Sequence, residues 1–316
     1  VTNPDGAVPS VFRPSSPEAH AIADLFGVTL GICAVIFALV LALVAYSLLR
    51  FRRRDGDDAE PEQVHGNARL EVAWTVAPFL VLVGILALTA RAMHTSDPPV
   101  DRDPDIVVIG HQWWWEARYP AAGAYTANEI HIPVGKRVLV RLESADVVHD
   151  FWVPELGRKI DAVPGHPNHL WLEASAPGAY QGACAEYCGA QHAWMRILVI
   201  ADEPAKFQLW LANEASPALQ SVGEQAARGA EVFHDLTCVK CHAIGGTGAD
   251  ARVAPDLTHI ASRRTLAAGA VDENTPANLA GWLKNPDYSK PGSHMPNLRL
   301  SDAQVNDLVT YFETLR

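Results

Sequence analysis

The chain is 316 residues long, about twice the usual span of one domain, so two folded units with additional segments are expected. Hydrophobic residues make up 49% and charged ones only 19%, which excludes a globally disordered chain and raises the question of membrane segments. A net charge of −11 would repel a polyanion, so nucleic acid is not an expected partner.

The run from Leu25 to Leu49 carries no charge and is dominated by Leu, Val, Ala and Ile, enough at helical rise to cross a ~30 Å hydrocarbon core. A second uncharged run, Val72 to Ala90, reaches the same thickness and holds Pro78 and Gly84, both tolerated in spanning helices. Together they predict a two-helix anchor over residues 23–93, with spans at 25–49 and 72–92. The connecting loop opens with Arg50, Arg52, Arg53 and Arg54 and later holds Arg69, whereas the opposite flanks hold only Arg13, Arg91 and Arg102. The positive-inside rule makes that loop cytoplasmic, so the segment 1–22 and everything after Met93 face an external, oxidising compartment. The competing reading of the first run is a cleaved signal peptide, but the run is longer than a ~7 to 15-residue signal core and no basic region precedes it. Cys33 lies mid-run behind Ile32, unlike a lipid-anchor site, and reads as a packing residue. Glu71, in RLEVAWT at the cytoplasmic mouth of the second span, is either a point of proton uptake or a helix-end carboxylate solvated by headgroups.

Residues 105–201 change to short alternating runs, DIVVIG, EIHIP, KRVLVRLES, HLWLEA and WMRILVI, separated by Pro and Gly turns. Val138, Val140 and Leu142 alternate with Arg137, Leu139 and Arg141, the period of strands with one inward face, and the spacing predicts a β-sandwich or small barrel. Within it, Cys184, Cys188, His192 and Met195 follow one another at intervals of four, four and three. That spacing suits a helical stripe, or, given Gly182 and Gly189, a loop folded back between two strands. Thiolate, imidazole and thioether form a soft set that favours copper, since zinc has no use for the Met. His149 can add a second imidazole and the Glu186 carbonyl can complete the set. The competing readings are a local disulfide and the C-x-x-x-C site of a copper-assembly protein, both of which leave His192 and Met195 idle. Trp113, Trp114 and Trp115 in GHQWWWE include at least one core-filling residue.

Residues 202–222, with the amphipathic stretch EPAKFQLWLANEA, predict a helix and linker, and 223–316 predict a helical unit. Its last helix is marked by a Ser301/Gln304 capping box followed by Val305, Leu308, Val309, Phe312 and Leu315 at helical spacing. Cys238, Cys241 and His242 form C-x-x-C-H, the signature in which two thiols bond haem covalently and the imidazole ligates iron. A thioredoxin-type dithiol would need a strand-helix-strand setting, and Gly-rich AIGGTG follows instead. For the sixth ligand the rivals are Met295 and His294; a thioether raises the iron potential into a range useful for donating to copper, which favours Met295.

The segments GHQWWWE, DVVHDF, VPELGRKIDAVPGH and CAEYCGAQHAWM closely resemble subunit II of haem-copper cytochrome c oxidases over residues 20–200. The segments AARGAEVFHDLTCVKCHAIGG, APDLTHI, LAGWLKNP and MPNL resemble a class I cytochrome c, whose sixth ligand falls where Met295 stands, and the combination is similar to caa-type oxidases. The resemblance implies a multidomain membrane protein: a two-helix transmembrane hairpin, an all-β cupredoxin Greek-key domain and an all-α cytochrome c domain. It implies a dinuclear copper A centre bridged by Cys184 and Cys188, with His149, His192, Met195 and the Glu186 carbonyl as terminal ligands, and one covalent haem c. It also implies electron uptake through Trp113, a magnesium ligand in the Glu186 side chain facing subunit I, and a proton pathway starting at Glu71. The implied partners are oxidase subunits I and III and, as donor, an external cytochrome c or cytochrome bc complex. The implied location is the bacterial cytoplasmic membrane, with the N-terminus and both C-terminal domains outside. The alternatives are the equivalent subunit of a nitric oxide reductase and, from another class, a copper-assembly or redox-sensing membrane protein.

Overall fold

The computed structural model describes residues 9–52, 63, 65–218 and 223–316. Arg53 and Arg54 of the basic loop, residues 1–8 of the N-terminal segment and 219–222 of the linker lie outside the described residues. Two long helices come first, α1 (Pro17–Arg50) and α2 (Ala68–Ser96). Both are long and apolar enough to cross a membrane, and the apolar side chains of their central stretches are not covered by protein. Both outrun the uncharged stretches because their ends are capped. Ser16 Oγ accepts from the Ala19 N–H at 2.9 Å ahead of Pro17, a residue suited to the first helical turn. Asn67 Oδ1 accepts from the N–H groups of Arg69 and Leu70.

The chain just before α1 is built into the unit that follows the two helices. Ser175 N donates to Ser15 O, Ser16 Oγ donates to Leu156 O at 2.7 Å, and Arg13 pairs with Glu155 at 2.7 Å.

Ten strands follow: β1 (Ile106–His111), β2 (Trp114–Tyr119), β3 (Ala124–Ala127), β4 (Glu129–Pro133), β5 (Val138–Ser144), β6 (His149–Trp152), β7 (Ile160–Ala162), β8 (Asn168–Leu172), β9 (Gly178–Cys184) and β10 (Arg196–Asp202). They form two five-stranded sheets, ordered β3-β2-β1-β5-β8 and β4-β10-β9-β6-β7. β1 runs parallel to β5 and β4 parallel to β10, so strands far apart in sequence become neighbours, as in a cupredoxin sandwich. Val138, Val140 and Leu142 point between the sheets with Trp115, Phe151 and Val199, the dry core that the alternation in β5 anticipates. The helix α3 (Pro204–Glu214) is not a free linker: Phe207 and Trp210 pack on the sandwich, with Trp210 stacked on His131 at 4.0 Å. Their spacing of three places both on one helical face.

The last part carries α4 (Glu224–Asp235), α5 (Pro276–Lys284), the short α6 (Pro286–Ser289) and α7 (Asp302–Thr314). The capping box at the head of α7 is formed reciprocally by Ser301 and Gln304, and Val305, Leu308, Val309, Phe312 and Leu315 are buried. α4 and α7 pack closely at Gly229, where a Cβ would lie 2.1 Å from the Asp307 carbonyl oxygen, so only hydrogen fits.

Candidate functional site

Cys184 ends β9 and Cys188 lies in the loop that returns through a 3-10 turn, His192–Trp194, into β10. The loop reading of the sequence therefore holds over the helical stripe. The two Sγ atoms are 3.7 Å apart, too far for a disulfide. His149 Nδ1 lies 3.9 Å from Cys184 Sγ, and the Glu186 carbonyl oxygen 3.2 Å from it. His192 Nδ1 lies 3.7 Å from Cys188 Sγ and Met195 Sδ 3.9 Å from it. All six groups named from the sequence thus converge. Among the described residues, His149, Cys184 and Cys188 form the cluster able to hold a metal, their ligand atoms within 4.8 Å of one another.

The surroundings prepare these donors. His149 and Met195 are fully buried, and the imidazole rests on Gly110, where a Cβ would meet the ring at 2.6 Å. Trp115, also fully buried, meets the His149 ring edge-on, so this tryptophan is the core-filling member of the triplet. His149 Nε2 donates to Asp146 Oδ1 at 2.8 Å, which leaves Nδ1 facing sulfur as a lone-pair donor. Burial disfavours the charged imidazole, yet its hydrogen bonds to Cys184 and Asp146 raise its pKa above the ordinary value. Hydrogen bonding from Cys188 holds the Cys184 thiol well below its ordinary pKa against the effect of burial, with His149 assisting. The same bond and burial push Cys188 well above the ordinary thiol range. The pair thus keeps one thiolate ready for a metal. Two thiols, two imidazoles, a thioether and a carbonyl around one largely buried point suit copper.

Trp113 Nε1 and Gln112 Nε2 both donate to the Cys188 carbonyl, at 2.9 and 2.7 Å. Trp114 instead stacks on His111 at 4.3 Å. Glu186 is exposed, its Oε1 accepting from Tyr187 N–H, and Tyr187 beside it is 76% exposed. Glu71, in the first turn of α2, accepts from Asn67 N–H at 3.3 Å. Sequence reasoning missed Asp146 and Gln112; the signals were present, an acid three residues before His149 and an amide beside Trp113.

The second site is a cavity of about 300 Å³ lined by Cys238, Cys241, His242 and Met295 with apolar side chains including Leu283 and Leu308. A 3-10 turn at Cys238–Lys240 brings both thiols to it. His242 Nδ1 donates to the Pro255 carbonyl at 2.7 Å, leaving Nε2 free, and burial holds the imidazole below its ordinary pKa, hence neutral. Thiols, neutral imidazole, thioether and apolar walls fit a haem. Of the two rivals for the sixth position, Met295 packs against the helical core while the His294 ring lies on Trp113, centroids 4.6 Å apart.

Family descriptions match the chain in three blocks: cytochrome c oxidase subunit II transmembrane domain over 10–90, cytochrome c oxidase subunit II periplasmic domain over 122–202, and cytochrome c over 226–316. Cytochrome c oxidase subunit 2 of Alkalihalophilus pseudofirmus is 37% identical over 315 residues, covering 96% of this chain and 90% of that protein. The chain belongs to the cytochrome c oxidase subunit II family. The corresponding subunit of Bacillus subtilis is 32% identical, covering 97% of this chain and 92% of its own. As a subunit II with a cytochrome c domain at its carboxyl end, the chain is an electron-input subunit of a haem-copper oxidase of caa type and works beside a subunit I. Its redox groups are copper A and haem, and it is a membrane protein with a periplasmic domain.

Proposed function

We propose that this chain takes electrons from an external donor into a covalent haem c, passes them to a dinuclear copper A centre, and hands them to haem a in subunit I, where oxygen is reduced to water with proton translocation. The observation that carries the reading is the convergence of both thiols with two imidazoles and a thioether in a buried pocket, on the same unit as a cavity lined by the C-x-x-C-H residues. When bound, a sulfur-bridged copper pair exchanges one electron with little change of geometry, and a thioether-ligated haem has a potential suited to reducing it.

In this reading Cys184 and Cys188, with His149, His192, Met195 and the Glu186 carbonyl, would hold the copper pair. Cys238, Cys241, His242 and Met295 would hold the haem. Trp113 leads electrons toward the copper centre through its hydrogen bond to the Cys188 carbonyl. The exposed Glu186 side chain is available to a magnesium ion at the subunit I contact, and Glu71 is the acidic mouth of a proton path. The parts are the external segment 1–22, the anchor 23–93, the copper domain 105–201, the linker 202–222 and the cytochrome domain 223–316. The anchor sits in the bacterial cytoplasmic membrane with the N-terminus and both C-terminal domains outside, beside subunits I and III, and the donor is a cytochrome c or cytochrome bc complex. The oxidase relatives favour oxygen over nitric oxide as acceptor, and a copper-assembly or redox-sensing role leaves the cytochrome domain without a task.

Replacing Cys184→Ser in the purified subunit tests this directly. The mixed-valence copper spectrum is expected to vanish while the haem stays reducible; retention of both coppers overturns the ligand assignment.

A further inference from the structure

The electron-input reading leaves open how the cytochrome domain is held, and the inference that follows rests on that reading. Two charged side chains at the contact between the sandwich and the helical domain are almost wholly buried. Glu129, opening β4, is 3% exposed, and its Oε1 accepts from the backbone N–H groups of Arg264 at 2.7 Å and Thr265 at 2.9 Å. Lys290, just after α6, is 5% exposed, and its Nζ donates to the Trp113 carbonyl at 2.8 Å across the contact and to the Ala267 carbonyl at 3.2 Å within its own domain. Burying a carboxylate or an ammonium is costly unless each is hydrogen-bonded, and here the main partners come from the opposite domain's backbone. Arg196 adds a more exposed contact, donating to the Gly269 carbonyl at 3.3 Å.

These contacts bracket the place where the haem cavity borders the sandwich. Trp113, Asn128 and Lys290 line the same cavity as Cys238 and Met295. The His294 ring lies tilted against Trp113, whose indole N–H reaches the Cys188 carbonyl. A tether alone raises the local concentration of the cytochrome domain but does not orient it. Hydrogen bonds from buried side chains at two separated points do orient it.

We propose that Glu129 and Lys290 form a two-point latch that fixes the haem cavity against Trp113, so that electrons cross to the copper centre from one held arrangement instead of after a search by a tethered domain. Both are positioning residues, since neither hydrogen-bonds to a ligand of either centre. With the latch closed, the Trp113 face is occupied by the chain's own cytochrome domain, and an external donor delivers its electron to the haem.

The test uses the full-length subunit, loaded with copper and haem in mild detergent, as wild type, Glu129→Ala, Lys290→Met, the double variant and Glu129→Gln, which keeps an acceptor oxygen. Hydrogen exchange at the Arg264 and Thr265 amides is expected to quicken about 10- to 100-fold in Glu129→Ala and the double variant, the weight of one charge-assisted bond, and to be restored in Glu129→Gln. After flash reduction of the haem, transfer to copper is expected to be independent of solvent viscosity in wild type and Glu129→Gln. In Glu129→Ala and the double variant it is expected to be slower and viscosity-dependent, and in Glu129→Ala, whose residue lies outside the cavity lining, the spectra and potentials of both centres are expected to stay unchanged. Unchanged exchange and viscosity-independent transfer in the double variant overturn the latch. Altered spectra or potentials in Glu129→Ala also overturn it, because that residue would then act on the centres themselves. If instead the wild-type haem never reduces the copper, the electron-input reading fails, a result separate from any behaviour of the variants.

Discussion

The close packing of α4 on α7 offers a quantitative test of how the cytochrome domain is built. A Cβ on Gly229 would lie 2.1 Å from the Asp307 carbonyl oxygen and 2.6 Å from the Tyr311 Cβ. Non-bonded heavy atoms prefer about 3.5–4.0 Å, so Gly229→Ala requires the helices to separate by about 1 Å or more. The obstacle is backbone, which cannot rotate aside, and overpacking of this kind costs about 1–3 kcal/mol or more. A rigid backbone obstacle puts the cost in the upper part of that range, about 2–3 kcal/mol, and the better helix propensity of Ala returns about 0.5–1 kcal/mol, so the net loss is about 1–2.5 kcal/mol. For a domain of this size that lowers Tm by about 4–20 °C. Gly281 in α5 is the control: no atom lies within 4 Å of its added Cβ, so Gly281→Ala keeps the propensity gain and raises Tm by about 2–8 °C. Because Phe233 of α4 and Leu308 and Phe312 of α7 line the cavity, the same separation disturbs the haem environment. Thermal unfolding of the haem-loaded chain, followed by circular dichroism in the Soret band, measures both. A Gly229→Ala protein as stable as wild type, or two variants shifting together, refutes the packing argument.

Asp146→Ala removes the acceptor that orients His149 and also receives the Gln112 and Val147 N–H groups, so copper affinity is expected to fall about 10- to 100-fold in a chelator competition with the haem unaffected. Met295→Ala is expected to shift the haem spectrum and potential and His294→Ala to leave the spectrum intact; the reverse pattern gives the axial position to His294. Acidification should weaken the sandwich in two stages. Burial holds His131 below its ordinary pKa, so the folded state disfavours its proton and stability begins to fall as pH drops below about 6.5. Asp202 is held at about 2, its hydrogen bonds from His131 and Lys206 outweighing burial, so its contribution is full above about pH 4 and is lost on the way to pH 2. Equilibrium unfolding across this range, followed by tryptophan fluorescence, should lose the lower stage in Asp202→Asn; an unchanged profile counts against the assignment.

Local chemistry was legible from the amino acids alone. Cys184, Cys188, His192 and Met195 lie within twelve positions, C-x-x-C-H within five, the Ser301 capping box within four, and each spanning run is continuous. Such features arise from short-range geometry and solvation, and spacing along the chain encodes them directly. Which elements lie against one another did not follow from spacing. The parallel pairings β1 with β5 and β4 with β10, the seating of α3 on the sandwich, and the separate tasks of Trp113, Trp114 and Trp115 depend on which surfaces become neighbours after folding. Asp146 behind His149 needed the turn before β6 to be seen, and the burial of Glu129 and Lys290 needed the domain contact itself, because their partners stand 135 and 177 positions away. A charged side chain reads as a solvated surface group in any sequence; only tertiary packing withdraws it from water and makes its hydrogen bonds directional.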